Sequence, residues 1–149
     1  PAQVGDVAKH DPNRDTGVKV ELQALRAVQA NRPAPGPFRV VLPEGSSSFA
    51  YDAIVPKLGE GAFWSAEPVE EGQYVVECKQ VRVRGGNAQV DVIRPAVADQ
   101  PAGHRQLVTV TLKWDVVAGW HDTRVRVWKI AVADALVQSV RQADLELAK

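Results

Sequence analysis

The sequence has one cysteine, no methionine and no excess charge of either sign. Cys78 cannot form an intrachain disulfide, so cysteine content does not indicate the redox compartment. With 18 basic and 18 acidic side chains, the chain lacks the basic excess typical of general nucleic-acid binders. Its longest apolar runs, such as residues 130–132, are far shorter than the roughly 20 residues of a membrane span. We therefore expect no nucleic-acid partner and no membrane span.

Nucleotide, catalytic and metal motifs are also missing. The chain contains neither G-x-G-x-x-G nor G-x-x-x-x-G-K. Its three histidines, His10, His104 and His121, have no second ligand three or four residues further along the chain, and one cysteine cannot build a zinc site. We predict no catalytic residues, no cofactor and no metal, which favours a protein that is not an enzyme.

The 149 residues have the composition of one globular domain, with 45% hydrophobic and 24% charged residues. Residues 1–16 are polar and carry turn formers, so we expect a flexible N-terminal lead followed by a single β-rich domain over residues 17–149. A chain that begins at Pro1 is typical of a processed protein. One interpretation is a bacterial envelope protein, such as a lipoprotein, that has lost a signal peptide; a trimmed chain accounts for it equally well.

Period-2 alternation over residues 18–24 favours a half-buried strand, although Leu25 and Val28 would also suit a helix. Residues 38–42 form a short strand candidate. Serine hydroxyls at 46–48 and Gly59 bracket one or two helical turns over residues 48–58. The tail from Asp134, a candidate N-cap, has the spacing of a C-terminal helix.

The clearest local signal is a β-hairpin that turns at Gly85 and Gly86, because Gly-Gly supplies the positive φ angles of a two-residue primed turn. Counting outward from the turn predicts the cross-strand pairs, which place one apolar set on one face. The predicted pairs are Arg84 with Asn87, Val83 with Ala88, Val81 with Val90, Gln80 with Asp91, and Glu77 with Arg94.

A long alternating strand is predicted over residues 106–116, with its partner over residues 123–130. Trp114 continues the apolar face of the long strand, so we expect it to be buried and its replacement by alanine to cost about 3–5 kcal/mol. Val125 and Val127 are predicted to face the core. Together these segments predict an α+β domain with a mainly antiparallel curved sheet, one or two short helices and a C-terminal helix; a two-layer β-sandwich is the alternative.

The segments VRVRGGNAQVDVI (81–93), QLVTVTLKWDVVAGW (106–120) and TRVRVWKI (123–130) resemble the closing strands of nuclear transport factor two-like domains. The resemblance covers about half of the chain. It implies a curved sheet packed on helices around a cone-shaped pocket that either binds a small ligand or is filled by side chains. The first half departs from that family, which usually opens with a substantial set of helices.

Two groups of residues are candidate sites. Outward-facing arginines beside an aromatic ring suit sugar or anion binding, and the ring is expected to lie exposed among them. That ligand-binding group is Arg82, Arg84, Arg124, Arg126 and Trp128. The second group, Tyr51, Asp115 and His121, is expected to converge in a pocket if the domain binds or converts a small molecule.

These observations predict a non-enzymatic binding or interaction domain of an exported envelope protein, located in the periplasm or cell envelope. A pocket domain of nuclear transport factor two-like type and a sugar- or anion-binding sheet are the alternatives. The expected partner is another envelope protein or a small ligand, and an oligomer is compatible with each interpretation.

Overall fold

A computed structural model describes residues 12–96 and 104–147. The elements in chain order are α1 (Pro12–Asn31), β1 (Phe38–Val41), α2 (Ser48–Ile54), a 3-10 turn (Val55–Lys57), β2 (Ala62–Phe63), β3 (Val75–Arg84), β4 (Asn87–Pro95), β5 (Arg105–Asp115), β6 (Gly119–Val127) and α3 (Val132–Glu146). Residues 12–16 of the predicted lead are therefore helical, and residues 1–11 lie outside the described residues. No described helix is long and apolar enough to cross a bilayer.

All six strands of the described chain belong to one sheet, in the order β2-β1-β3-β4-β5-β6. β1 runs parallel to β2 and β3, whereas β3 to β6 form an antiparallel meander. The predicted α+β class, with a mainly antiparallel sheet and a C-terminal helix, is confirmed. The β-sandwich alternative is wrong, because helices and not a second sheet cover the faces.

The strand predicted over residues 18–24 is wrong, since this segment lies within α1. Its sheet-facing stripe has helical spacing and consists of Gly17, Val20, Glu21, Ala24 and Val28. Leu22, Leu25 and Ala27 beside that stripe are also buried, and α1 contacts α2 as well as four strands. Burial on so wide a face weakens the contrast on which the helical period depends.

The Gly85-Gly86 hairpin is confirmed, with Val81 opposite Val90 and Gly85 at a φ of 59°. The register holds outward to Gln80 and Asp91 and then shifts between Cys78 and Gln80. Glu77 therefore lies opposite Ile93, and the predicted pairing of Glu77 with Arg94 is wrong. This β-bulge inserts one residue, so Val76 and Cys78 join the main core with Val81, Ala88 and Val90.

The strands predicted from residues 106 and 123 are confirmed as β5 and β6, and Val125 and Val127 pack against the core. The predicted burial of Trp114 is wrong, because this residue is 52% exposed. We therefore expect Trp114→Ala to cost much less than the 3–5 kcal/mol of a buried aromatic. Trp128, expected to face outward, is 4% exposed.

Helices α1 and α3 cover opposite faces of the sheet. α1 packs on the face formed by Ala88, Val90, Val92, Val108, Val110 and Leu112, all fully buried. α3 packs on the other face, where Ile93, Leu107, Trp128 and Ala135 form a smaller cluster. The N-cap of α3 is Ala131, so the helix starts two residues before the predicted Asp134, which lies in its first turn.

α1 is held to the sheet at its C-terminal end by two arginines. Arg94 Nη1 donates to the Val28 carbonyl at 3.3 Å, and Arg94 Nη2 donates to Asn31 Oδ1 at 2.8 Å. Arg32 donates to the carbonyls of Pro95 and Ala96. The N-terminal part of α1 lies at the opposite end of the sheet, beside the β3–β4 and β5–β6 turns, which we call the turn end.

Candidate functional site

The predicted arginine group lies on the face that α3 covers. Arg82 forms an ion pair with the fully buried Asp91, with Nη1 2.8 Å from Oδ2 and Nη2 3.2 Å from Oδ1. Thr109 Oγ1 donates to Asp91 Oδ1 at 2.7 Å, and Ser139 Oγ donates to Oδ2 at 2.9 Å. Both carboxylate oxygens are thus bonded within the protein, and this network fixes α3 to the sheet.

Trp128 belongs to the same network and is not an exposed binding platform. Its Nε1 donates to Thr109 Oγ1 at 2.9 Å, and the Arg126 guanidinium lies 3.6 Å from the centre of its ring. Arg126 also donates to Gln142 of α3. Arg84 and Arg124 remain exposed, and Arg124 lies 3.8 Å from Glu146. The structure therefore does not assemble the predicted arginines and tryptophan into an open surface.

Tyr51, Asp115 and His121 do not converge. Tyr51 Oη accepts a hydrogen bond from the Leu42 amide at 2.9 Å, and its ring stacks on Trp64 at 4.8 Å. Asp115 and His121 pair at 3.4 Å at the turn end, beyond the intervening strands β3 and β4. The Ala118 and Val117 amides donate to Asp115 Oδ1 and, with His121, lower the pKa of this exposed carboxyl.

The turn end holds an open groove that the sequence did not single out. It has a volume of about 770 Å³, within the range of small-molecule sites. Trp114 and Trp120 lie directly opposite each other on β5 and β6, on the face that α1 covers elsewhere. The groove is lined by Thr16, Gly17, Val81, Val83, Gly85, Gly86, Trp114 and Trp120, and we call it the turn-end groove.

Two residues of α1 next to this groove are costly to stability. Gly17 stands inside a helix, where glycine destabilises by roughly 0.5–1 kcal/mol relative to alanine. A Cβ atom added there would meet nothing within 4 Å, so no packing contact explains the glycine. One turn further on, Glu21 is 7% exposed, and burial raises its pKa to about 7. In the described chain its carboxyl has no hydrogen bond or ion pair.

A smaller cavity of about 360 Å³ lies on the α3 face, over the part of the sheet that α3 leaves uncovered. Its floor is apolar, with Val41, Val75 and Ile93, and Glu70 and Glu71 stand at its rim. Glu77 Oε1 lies 3.9 Å from Arg105 Nη1, so charges of both signs meet there. None of the described residues that line this cavity is aromatic. Across residues 12–96 and 104–147 no cluster of three or more His, Cys, Asp or Glu is placed to hold a metal ion.

No family model, curated protein or solved structure matches this chain. The resemblance to nuclear transport factor two-like domains therefore stays a prediction. The site must be assigned from its own geometry, in which the turn-end groove combines the larger volume with two tryptophans.

Proposed function

We propose that the chain is a non-enzymatic binding domain whose ligand site is the turn-end groove. The observation that carries this proposal is Trp114, 52% exposed on a concave surface opposite a second tryptophan. Large aromatic side chains dominate the energetics of ligand and partner sites, and burying one on binding is strongly favourable. The ligand class is a small organic molecule with an apolar or aromatic part.

An enzymatic role has less support. Asp115 and His121 lie together, but their pair stands on an exposed hairpin. Among the described residues, the groove is lined by no nucleophile except the Thr16 hydroxyl. The sugar- or anion-binding sheet has less support still, because Trp128 is buried and Arg82 is bonded to Asp91. A location in the cell envelope stays a prediction from the sequence.

The proposal is tested by nuclear magnetic resonance of the four tryptophan indole N–H groups during titration with small aromatic compounds of positive, zero and negative charge. A compound in the turn-end groove is expected to shift the signals of Trp114 and Trp120 and to leave that of the buried Trp128 unchanged. Assignments follow from single tryptophan substitutions.

Trp114→Ala is expected to weaken the binding of any such compound by roughly tenfold or more, since it removes most of one wall. The matched control is Phe49→Ala, because Phe49 is an aromatic residue on α2 that is 73% exposed and does not line the groove. Equal affinity of Trp114→Ala and the wild type, or shifts confined to other tryptophans, would contradict the proposal.

A further inference from the structure

The charges around the turn-end groove are distributed unequally between the two faces of the sheet. Because side chains alternate along a strand, Arg82, Arg84 and Lys113 lie on the α3 face. Asp122 is paired with the core residue Leu112 and therefore lies on the groove face, next to Trp120. No described residue that lines the groove is basic.

Glu21 is a second acidic group, four residues after Gly17 on α1, although it is not itself among the residues that line the groove. A helical side chain leans toward the N-terminus of its own helix, so the Glu21 carboxyl leans over the turn that starts at Gly17. Gly17 lines the groove and has no side chain to separate the two. Glu21 is 7% exposed. Among the residues that the structure describes, no hydrogen bond or ion pair joins its carboxyl.

Buried carboxylates are ordinarily paired with a cation or with hydrogen-bond donors. Here the described chain supplies neither, while two indole rings stand at the mouth of the groove. Indole faces attract organic cations, and a ring wall combined with a carboxylate is suited to ammonium groups. Gly17 leaves open space on the helix turn over which the carboxyl leans, since a Cβ atom there would meet nothing within 4 Å.

We propose that the turn-end groove binds an organic cation, with an ammonium group paired to Glu21 and an apolar part against Trp114 and Trp120. This inference rests on the proposed function and adds the charge of the ligand to it. Asp122, at the exposed end of the groove face, contributes a weaker attraction because water screens it.

The experiment compares three matched probes, 2-phenylethylammonium, 2-phenylethanol and phenylacetate, by the indole shifts of Trp114 and Trp120. The ammonium is expected to bind roughly tenfold tighter than the alcohol, and the carboxylate weakest. Glu21→Gln is expected to reduce ammonium affinity roughly ten- to hundredfold and to leave alcohol affinity unchanged. Asp122→Asn is expected to have a smaller effect.

The pH dependence supplies a second readout. Since burial raises the Glu21 pKa to about 7, ammonium affinity is expected to fall about tenfold per pH unit below that value and to level above it. Glu21→Gln is expected to abolish this dependence.

Other charged groups on the elements packed against α1 do not account for such a dependence. On β3 the pKa of the Cys78 thiol is raised by burial and then by the charge of Glu21 itself, so the thiol stays neutral. On β4 Arg94 contacts the far end of α1, β5 presents apolar side chains, and Asp122 of β6 is exposed. On α2, Tyr51 bonds to Leu42 and Asp52 is exposed. His121→Asn, on the α3 face, is the matched control and should keep the wild-type pH profile.

The two proposals fail differently. If none of the probes shifts the Trp114 and Trp120 signals, or if Trp114→Ala binds them as well as the wild type, the groove is not the binding site. If the alcohol binds as tightly as the ammonium, or Glu21→Gln retains full ammonium affinity, the groove stands as a site and the cation assignment is overturned.

Discussion

On the α3 face of the sheet, Asp91 is buried with four polar contacts, whereas on the α1 face Glu21 is buried with none from the described residues. The same contrast separates the tryptophans: Trp128 is covered by Arg126 and α3, and Trp114 is half exposed. On the α3 face both oxygens of the buried Asp91 carboxylate are thus bonded, although Arg82 Nε is buried there without a partner among the described residues. The turn end retains features that cost stability, as functional sites do.

The largest effect on stability is expected when Asp91, the buried carboxylate on the α3 face, is replaced. Asp91→Ala leaves Arg82 without its carboxylate and should lower the free energy of unfolding by about 3–5 kcal/mol, measured by urea denaturation. Asp122→Ala, at an exposed position, is the control and should change stability by less than about 0.5 kcal/mol. A loss under about 1 kcal/mol for Asp91→Ala would show that the network does not hold α3 in place.

Replacing Glu21 is expected to have a smaller effect on stability, and of opposite sign, because its buried carboxylate destabilises the folded chain at high pH. The folded-state pKa is about 7 against 4.5 for the unfolded chain, so the folded chain keeps a proton that the unfolded chain has lost between these values. Wild-type stability should therefore fall as pH rises from about 4.5 to about 7 and then level.

Glu21→Gln removes this loss and should stabilise the protein by about 1–3 kcal/mol at pH 8, with almost no effect at pH 4.5. Urea denaturation at the two pH values measures both quantities. Glu44→Gln is the control, because it removes an exposed carboxylate and should not stabilise the protein at pH 8. If Glu21→Gln is destabilising at pH 8, the carboxylate has a partner and the contrast between the faces does not hold.

The smallest effect is expected at Gly17. Gly17→Ala should raise the free energy of unfolding by about 0.5–1 kcal/mol, because alanine is the better helix former and its Cβ meets no atom within 4 Å. It should also weaken the binding of 2-phenylethylammonium. Gly45→Ala is a control of opposite sign for stability, since Gly45 has a φ of 87° that alanine adopts only under strain. A stabilised Gly17→Ala that binds normally would remove Gly17 from the site.

The two tryptophans of the long strand and its partner explain why the site was not found from sequence. Trp114 continues the apolar face of β5, and Trp128 alternates with the arginines of β6, so period-2 patterns predict the reverse of their observed burial. The extent of each helix decides the outcome. At the turn end Trp114 stays half exposed beside the N-terminal part of α1, whereas α3 packs over Trp128 just after the end of β6.

The residues of α1 were also not identified from the sequence, because their role depends on the tertiary structure. The acidic and glycine positions of this helix, Glu21 and Gly17, have meaning only once residues 12–31 are known to be helical and packed on the sheet. The spacing of Gly17, Glu21, Ala24 and Val28 along one helix face was available in the sequence as a signal. The alternation of residues 18–24 obscured it.

The sequence by itself determined the strands β3 to β5, the hairpin at Gly85 and its register as far as Gln80, because turn chemistry and side-chain alternation are local properties. It also determined the α+β class and the short helix after Ser47. Only the tertiary structure decided that α1 is helical, that a bulge moves Cys78 into the core, and that Glu21 is buried beside an open groove. These depend on which element lies over which part of the sheet, and that is set by contacts between residues distant in the chain.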